Sequence, residues 1–203
     1  MSTGGIFTLQ TNRGAMDRLI MGFTGGKEGA VDHNAVFTSA DEIIPGLWIG
    51  NQSSSEDLEF LKRHDIKTIV NCSTHIPFVD HSKHKRVAVR IPVLDPGPFK
   101  TFGQKDIDRM YRALPGAVEI INHSLKKGGV LVHCHAGMQR SAAVVVAYLV
   151  QYYFGHDCKH VDASYDRAVK FLRSKRPRVF YHGWHVNFQH AVKRYMRHNI
   201  CHL

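Results

Sequence analysis

The stretch GVLVHCHAGMQRSAAVVVAYLV, residues 129–150, joins an apolar run, a short polar loop and a second apolar run. The first run, GVLVH, is short and apolar, which is typical of a strand buried on both faces of a sheet. The second run starts near Arg140 and is long enough for a helix. Cys134 and Gly137 stand between them. This order predicts a strand, a tight loop and a helix.

The rest of the chain alternates strand-like and helix-like segments. Strands are predicted for GLWIG (46–50), IKTIVNCS (66–73) and RVAVRIPVL (86–94), in addition to GVLVH (129–133). Helices are predicted over 53–65, 105–127 with a break or kink at Pro115, 140–154, 162–175 and 183–196. Strands that alternate with helices predict an α/β fold, with a mostly parallel central sheet of about five strands flanked by helices.

Two regions are expected along the 203 residues. Residues 1–42 read as an N-terminal extension with a short amphipathic helix, and residues 43–203 as the main domain. The helix is indicated by apolar residues spaced at one helical face, namely Met16, Leu19, Ile20 and Phe23. This stripe could dock on its own domain or on a second copy of the chain, so a homodimer through the N-terminal helix is one hypothesis.

The cysteines and the apolar runs of the sequence indicate in which cellular compartment the protein is expected. The four cysteines have no regular spacing, and no charged, apolar and small-residue leader precedes the domain. The longest apolar run, 142–150, is about half the length needed to cross a bilayer. We therefore expect an intracellular, cytoplasmic protein in a reducing environment, neither secreted nor carrying a transmembrane segment.

The formal net charge of +10 indicates which kind of binding partner the protein is expected to have. A basic surface favours an anionic partner, such as a phosphorylated protein, RNA or an acidic membrane face. A solvated basic surface without a partner has the same composition, so charge supports a site without defining one.

The loop between strand and helix carries the predicted chemistry. The backbone amides of residues 135–140 can form a concave anion-binding site at the positive end of the helix dipole. The same partial positive charges would stabilise the thiolate form of Cys134. Arg140 can give phosphate a two-pronged donor, Ser141 can donate to the sulfur, and His133 can brace the loop and help to hold the thiolate. The predicted substrate-binding residues are His135, Ala136, Gly137, Met138, Gln139 and Arg140.

These residues also carry a family resemblance. HCHAGMQRS, residues 133–141, resembles the His-Cys-x-x-Gly-x-x-Arg-Ser/Thr signature of cysteine-dependent protein tyrosine phosphatases, and its ending is similar to the dual-specificity branch. IPGLWIGN, IKTIVNCS, IPVLD and SYDRAVKFLRSKRP resemble segments of that branch in the same order, over residues 43–197. The resemblance implies a protein phosphatase domain that acts on phosphotyrosine and on phosphoserine or phosphothreonine through a phosphocysteine.

The resemblance also implies particular roles for residues outside the loop. A general acid is needed for the leaving group, and Asp95 matches it by its position after IPVL, with Asp106 and Asp108 as competitors. Asn71 resembles an asparagine that hydrogen-bonds the catalytic loop. Cys72 is either a small buried residue or the partner of Cys134 in a reversible disulfide.

Three further alternatives stay open from the sequence. Some relatives of this fold remove phosphates from RNA 5′ ends or from phosphoinositides, and the basic charge suits such substrates. A phosphate-binding module without turnover is a different class, which the presence of Cys134, Arg140 and Asp95 disfavours. No cofactor or metal is expected, since His133 and His135 lack the further convergent ligands of a zinc site.

Overall fold

The computed structural model describes residues 39–79, 85–94, 103–155, 157–180 and 188–201. It contains a five-stranded sheet in the order β1-β2-β5-β3-β4. The strands are β1 (Ala40–Ile44), β2 (Leu47–Gly50), β3 (Ile66–Asn71), β4 (Val87–Arg90) and β5 (Gly129–His133). Strand β1 is antiparallel to β2, and all other neighbours are parallel. The predicted α/β fold with a mostly parallel sheet is confirmed.

Helices cover both faces of this sheet. They are α1 (Gln52–Glu56), α2 (Leu58–Arg63), α3 (Gln104–Leu125), α4 (Arg140–Tyr148), α5 (Val161–Lys175) and α6 (Gln189–Tyr195). Helices α4 and α6 each continue into a π-helical turn, over Leu149–Tyr153 and Met196–Ile200.

Strand β5 lies at the centre of the sheet, and all of its residues are buried. Val130 and Val132 pack into the larger core, which is shared with α3, α4, α5 and α6. Leu131 faces the opposite side and packs into a smaller core with Phe60 and Leu61 of α2. Because each buried valine or leucine side chain contributes about 1.5–3 kcal/mol, this double burial fixes the strand that precedes Cys134.

The structure corrects several predicted element boundaries. The helix predicted over 53–65 is two helices, because Asp57 has an extended backbone and its carboxylate accepts from the Phe60 amide at 2.9 Å. The helix around Pro115 runs through this residue without a break. The strand predicted over 86–94 ends at Arg90. Strand β1 was not predicted.

Some predictions lie outside the described residues. They include the amphipathic helix of the N-terminal extension, the homodimer through it and the first residues of the helix predicted over 183–196. The division into 1–42 and 43–203 stays a prediction, and the described residues all belong to one unit, Phe37–Leu203. Within the described ranges, none of the helices is both long and apolar enough to traverse a bilayer.

Candidate active site

Cys134 stands at the carboxyl edge of the sheet, directly after β5. Gly50 at the end of β2 and Asn71 at the end of β3 both lie opposite His133 in parallel register. The carboxyl ends of these strands therefore meet at one edge, where ligands of open α/β sheets bind. Residues 134–139, the Cys134 loop, connect this edge to the first residue of α4.

Gly137 shapes the turn of the Cys134 loop. Its φ is +68°, in the left-handed region that side chains disfavour. A Cβ at this position would lie 2.5 Å from the carbonyl oxygen of Gly50. The loop can therefore approach β2 this closely only with glycine at position 137.

The surroundings of the Cys134 thiol favour its ionised form. Burial is the largest influence and by itself raises the pKa, since the side chain is almost fully enclosed. The charge of Arg140, a hydrogen bond with Ser141 Oγ at 3.3 Å and the amides of Ser141 and Gly137 act in the opposite direction. Together they lower the pKa of Cys134 below its ordinary value. The predicted thiolate therefore has a physical basis in the loop.

Arg140, the first residue of α4, is buried beside this thiol. Its Nη1 donates to the carbonyl oxygen of Val93 at 3.4 Å. Val93 stands two positions before Asp95, and Asp95 itself lies outside the described residues. The arginine thus connects the helix after the Cys134 loop to the segment in which the general acid is predicted.

The competing acids Asp106 and Asp108 are engaged in ion pairs on the surface of α3. Asp106 lies 3.5 Å from Arg109 Nη1, and Asp108 lies 2.8 Å from Arg194 Nη1. Asp108 also accepts from the side-chain amide of Gln104 at 3.0 Å. These contacts show that both carboxylates are engaged with side chains on helices. They do not identify which aspartate is the general acid.

His133 is buried, and burial is the main reason that its pKa falls to about 4. At neutral pH the ring is therefore uncharged and contributes no positive charge to the thiolate. The expectation that Asn71 hydrogen-bonds the catalytic loop is wrong for its side chain, which bonds the turn after β3 through Ile76 O at 3.0 Å. The link to β5 is made instead by the Cys72 amide, 2.7 Å from His133 O.

The predicted substrate-binding residues form the loop itself. Gly137 is buried, Ala136, Met138 and Gln139 are half-buried, and the side chain of His135 is exposed. Their common feature is the backbone amide, because anion binding in such a loop uses N–H groups.

Within the described ranges, the cysteines other than Cys134 fall into one disulfide pair and one free thiol. Cys158 and Cys201 are joined in a disulfide, which the sequence did not reveal, while Cys72 and Cys134 are free thiols. Among the described residues, no three His, Cys, Asp or Glu side chains are grouped as a metal ion would require.

Most of the chain matches a known protein family. Residues 47–197 match the family model described as dual specificity phosphatase, catalytic domain. The chain belongs to the dual specificity phosphatase family. A probable dual specificity protein phosphatase of Dictyostelium discoideum is 35% identical over 138 residues, which make up 68% of this chain. The match spans 55% of that relative's length.

Solved structures of phosphatases have the same fold. The crystal structure of human DUSP28 has a TM-score of 0.61 at 22% identity, covering 78% of this chain and 93% of DUSP28. The crystal structure of PTPMT1 in complex with PI(5)P has a TM-score of 0.58 at 16% identity, covering 81% and 98%. At these identities the likeness establishes the fold alone.

Two residues of this dual specificity phosphatase domain that contact or support the Cys134 loop were missed by the sequence analysis. Arg176, just after α5, donates through Nε to Gly137 O at 2.9 Å and through Nη1 to Asp41 of β1 at 2.5 Å. Asp41 and Arg176 are 135 positions apart, so no local pattern joins them. The one available signal is an arginine in the segment SYDRAVKFLRSKRP, which resembles the family.

Proposed function

We propose that this chain hydrolyses phosphotyrosine, phosphoserine and phosphothreonine in protein substrates through a phosphocysteine intermediate. The observation that carries the proposal is the lowered pKa of Cys134 at the start of a loop that leads to Arg140. A thiolate is the nucleophilic form of cysteine, and this one lies in an electropositive loop suited to an anionic substrate.

In the first step, Cys134 Sγ attacks phosphorus in line, so that an S–P bond forms while the P–O bond to the leaving group breaks. Asp95 gives its proton to the departing oxygen. In the second step, water attacks phosphorus, Asp95 takes a proton from it, and the S–P bond breaks. Arg140 and the loop amides stabilise the charge on the equatorial oxygens, and Ser141 stabilises the leaving sulfur.

The role of Asp95 is supported by the position of its neighbours. Arg140 Nη1 donates to Val93 O, so the chain two positions before Asp95 runs beside the phosphate-binding guanidinium. Asp106 and Asp108 are already paired with arginines. If Asp95 is the acid, Asp95→Asn slows poor leaving groups far more than good ones, whereas Asp108→Asn slows both equally or not at all. Equal slowing by Asp95→Asn would reassign the acid.

A second candidate substrate class is favoured by the charge of the chain. The net charge of +10 suits polyanionic substrates such as RNA 5′ phosphates or phosphoinositide headgroups. PTPMT1, which was crystallised in complex with PI(5)P, shares this fold. The same Cys134 chemistry would then act on a different leaving group.

The proposed activity is tested by the turnover of an aryl phosphate in the presence of a metal chelator. We expect turnover that falls at least about 10³-fold in Cys134→Ser, because this change removes the nucleophile. The matched control is Cys72→Ala, which alters the neighbouring buried cysteine and retains turnover. Binding of phosphate without turnover in the wild type would instead identify a non-catalytic module.

The substrate class is tested by comparing kcat/KM on phosphopeptides, 5′-triphosphate RNA and phosphoinositide vesicles. Each rate is corrected for the rate of Cys134→Ser. The proposal expects phosphotyrosyl and phosphothreonyl peptides to be the preferred substrates. A preference for RNA or phosphoinositide would favour the second candidate.

A further inference from the structure

The outer side of the Cys134 loop is held by one arginine side chain. Arg176 Nε donates to the carbonyl oxygen of Gly137 at 2.9 Å, and Arg176 Nη2 donates to that of Ala136 at 3.4 Å. Both acceptors belong to consecutive peptide groups of the loop. Arg176 therefore fixes the direction of two peptide planes with one rigid, planar donor group.

The peptide groups on either side are held in the same way by backbone amides. His135 O accepts from the amide of Gln52 at 3.0 Å, and Met138 O accepts from the amide of Phe180 at 3.0 Å. Four consecutive carbonyl groups of the loop thus have donors outside it. Among the bonds that the described residues make to these four groups, those to the middle two come from a side chain, that of Arg176.

The direction of these carbonyl groups determines the direction of the amides. In a planar trans peptide, the C=O and the following N–H point to opposite sides, and the described residues contain no cis peptide bond. Outward carbonyls at Ala136 and Gly137 therefore turn the N–H groups of Gly137 and Met138 inward. In agreement, the amide of Gly137 is one of the groups that stabilise the Cys134 thiolate and lower its pKa.

Arg176 is itself held in place. Its side chain is 5% exposed, and its Nη1 lies 2.5 Å from the carboxylate of Asp41 on β1, which is 19% exposed. Its backbone amide donates to Leu172 O at the end of α5, and its carbonyl accepts from the Val179 amide. A buried guanidinium with a carboxylate and two carbonyls is a satisfied charge, so its geometry is well defined.

We propose that Arg176, held by Asp41, is a positioning residue of the Cys134 loop. By binding two carbonyl groups from outside, it turns the amides of Gly137 and Met138 toward the thiolate and the phosphoryl oxygens. The inference rests on the proposed function, since it assigns a part of the same site. It extends the site to Asp41 on β1 and to the residue that follows α5.

The test measures the loop without requiring turnover. The first readout is the pH dependence of Cys134 alkylation by iodoacetamide, followed by mass spectrometry, and the second is protection from alkylation by orthovanadate. In Arg176→Met, we expect the midpoint of alkylation to move to higher pH and orthovanadate affinity to fall about tenfold, because inward amides are lost. Asp41→Asn should give smaller changes in the same directions.

Two further variants separate orientation from charge. Arg176→Lys keeps the charge but cannot reproduce the planar donor pair, so it should recover only part of both readouts. Arg167→Met is the matched control, because Arg167 lies on α5, the helix just before Arg176, and also donates to a backbone carbonyl, that of Phe154, outside the loop. It should leave both readouts unchanged.

Among the described residues, Arg140 of α4 and Cys72 after β3 interact electrostatically with the Cys134 sulfur, and the His133 ring of β5 interacts with the Cys134 backbone. All of these residues are kept in every variant. A change in the alkylation midpoint or in orthovanadate affinity therefore reflects a change in the orientation of the loop amides. Unchanged readouts in folded Arg176→Met, or complete recovery in Arg176→Lys, would overturn the inference.

Folding of each variant is checked by circular dichroism. If Arg176→Met does not fold, Arg176→Lys and Asp41→Asn decide, and wild-type readouts in both would overturn the inference. The proposed function fails by a different result, which is the absence of Cys134-dependent turnover in the wild type.

Discussion

Cys72 and Cys134 come directly after adjacent parallel strands, β3 and β5, and both side chains are buried, at 0% and 2% exposure. Their preceding residues, Asn71 and His133, lie opposite each other in register. The two thiols nevertheless differ in the direction of their pKa. Burial, and then the neighbouring Cys134, raise the pKa of Cys72 well above its ordinary value, whereas that of Cys134 is lowered.

The difference lies in the loop at the end of each strand. After Cys72, the polar groups of the turn bond one another, since Ser73 Oγ donates to Asn71 Oδ1 at 2.6 Å and the Ile76 amide donates to Ser73 Oγ at 3.2 Å. After Cys134, the carbonyls are bound from outside and the amides face the sulfur. Equal burial thus permits pKa shifts in opposite directions, because at Cys134 the charge of Arg140 and the hydrogen bonds from Ser141 and Gly137 outweigh the effect of burial.

The largest expected effect is a difference in alkylation between these two thiols. At pH 7, we expect iodoacetamide to modify Cys134 far faster than Cys72, because the lowered pKa increases the thiolate fraction of Cys134 and the raised pKa decreases that of Cys72. Cys134 labelling should decline as the pH falls through its lowered pKa. Peptide mass spectrometry gives both rates in one sample, and the disulfide-bonded Cys158 serves as the unreactive control. Faster labelling of Cys72 would contradict the contrast.

Arg140→Lys separates the charge near the sulfur from the geometry of phosphate binding. Arg140 lowers the pKa of both Cys134 and Cys72, and lysine keeps this positive charge. Alkylation of Cys134 at pH 7 should therefore stay close to that of the wild type. The loss of the two-pronged donor should reduce kcat/KM about 10²-fold. Arg109→Lys, on the exposed side of α3, is the control, and equal kcat/KM in both variants would refute the assignment.

The residues before the two cysteines should differ in their response to acid. His133 has a pKa of about 4 in the folded protein, below the ordinary 6.5 of an exposed histidine. Between pH 6.5 and pH 4, His133 is protonated in the unfolded chain but neutral in the folded protein. The free energy of unfolding should therefore fall by about 3 kcal/mol as the pH drops from 7 toward 4. His133→Gln should remove this part of the acid sensitivity, whereas exposed His123→Gln should not. Denaturant unfolding at pH 7 and pH 5 measures both.

The sequence predicts those features of the two cysteine sites that depend on residues close together in the chain. It does not predict the features that depend on residues far apart in the chain. The strand, loop and helix around Cys134 were predicted because apolar runs and Gly137 are local signals. The ion pair between Asp41 and Arg176 was not, since its partners are 135 positions apart and β1 itself escaped prediction. The segment ADEII of β1 lacks a regular polar and apolar alternation, and its position is fixed by pairing with β2.

The side-chain network of Asn71 escaped prediction for a related reason. The resemblance suggested a bond to the catalytic loop, but a short turn after Cys72 brings Ser73 and Ile76 within reach of the same amide. Partners close in the chain, such as Ser73 and Ile76, form hydrogen bonds with the Asn71 side chain at a small entropic cost. They therefore compete well with partners in the more distant Cys134 loop. Sequence alone therefore indicates that Asn71 is polar and near the site, without specifying its acceptor.

The smallest expected effect compares the serine near each cysteine. Ser141 Oγ lies 3.3 Å from Cys134 Sγ and lowers its pKa, so Ser141→Ala should slow Cys134 alkylation at pH 7 about tenfold or less. Ser73 bonds Asn71, so Ser73→Ala should lower the unfolding free energy by about 1 kcal/mol and leave Cys134 reactivity unchanged. The paired variants therefore test whether a serine acts on the sulfur or on the turn. Equal alkylation rates in both would mean that the Ser141 hydroxyl does not stabilise the thiolate.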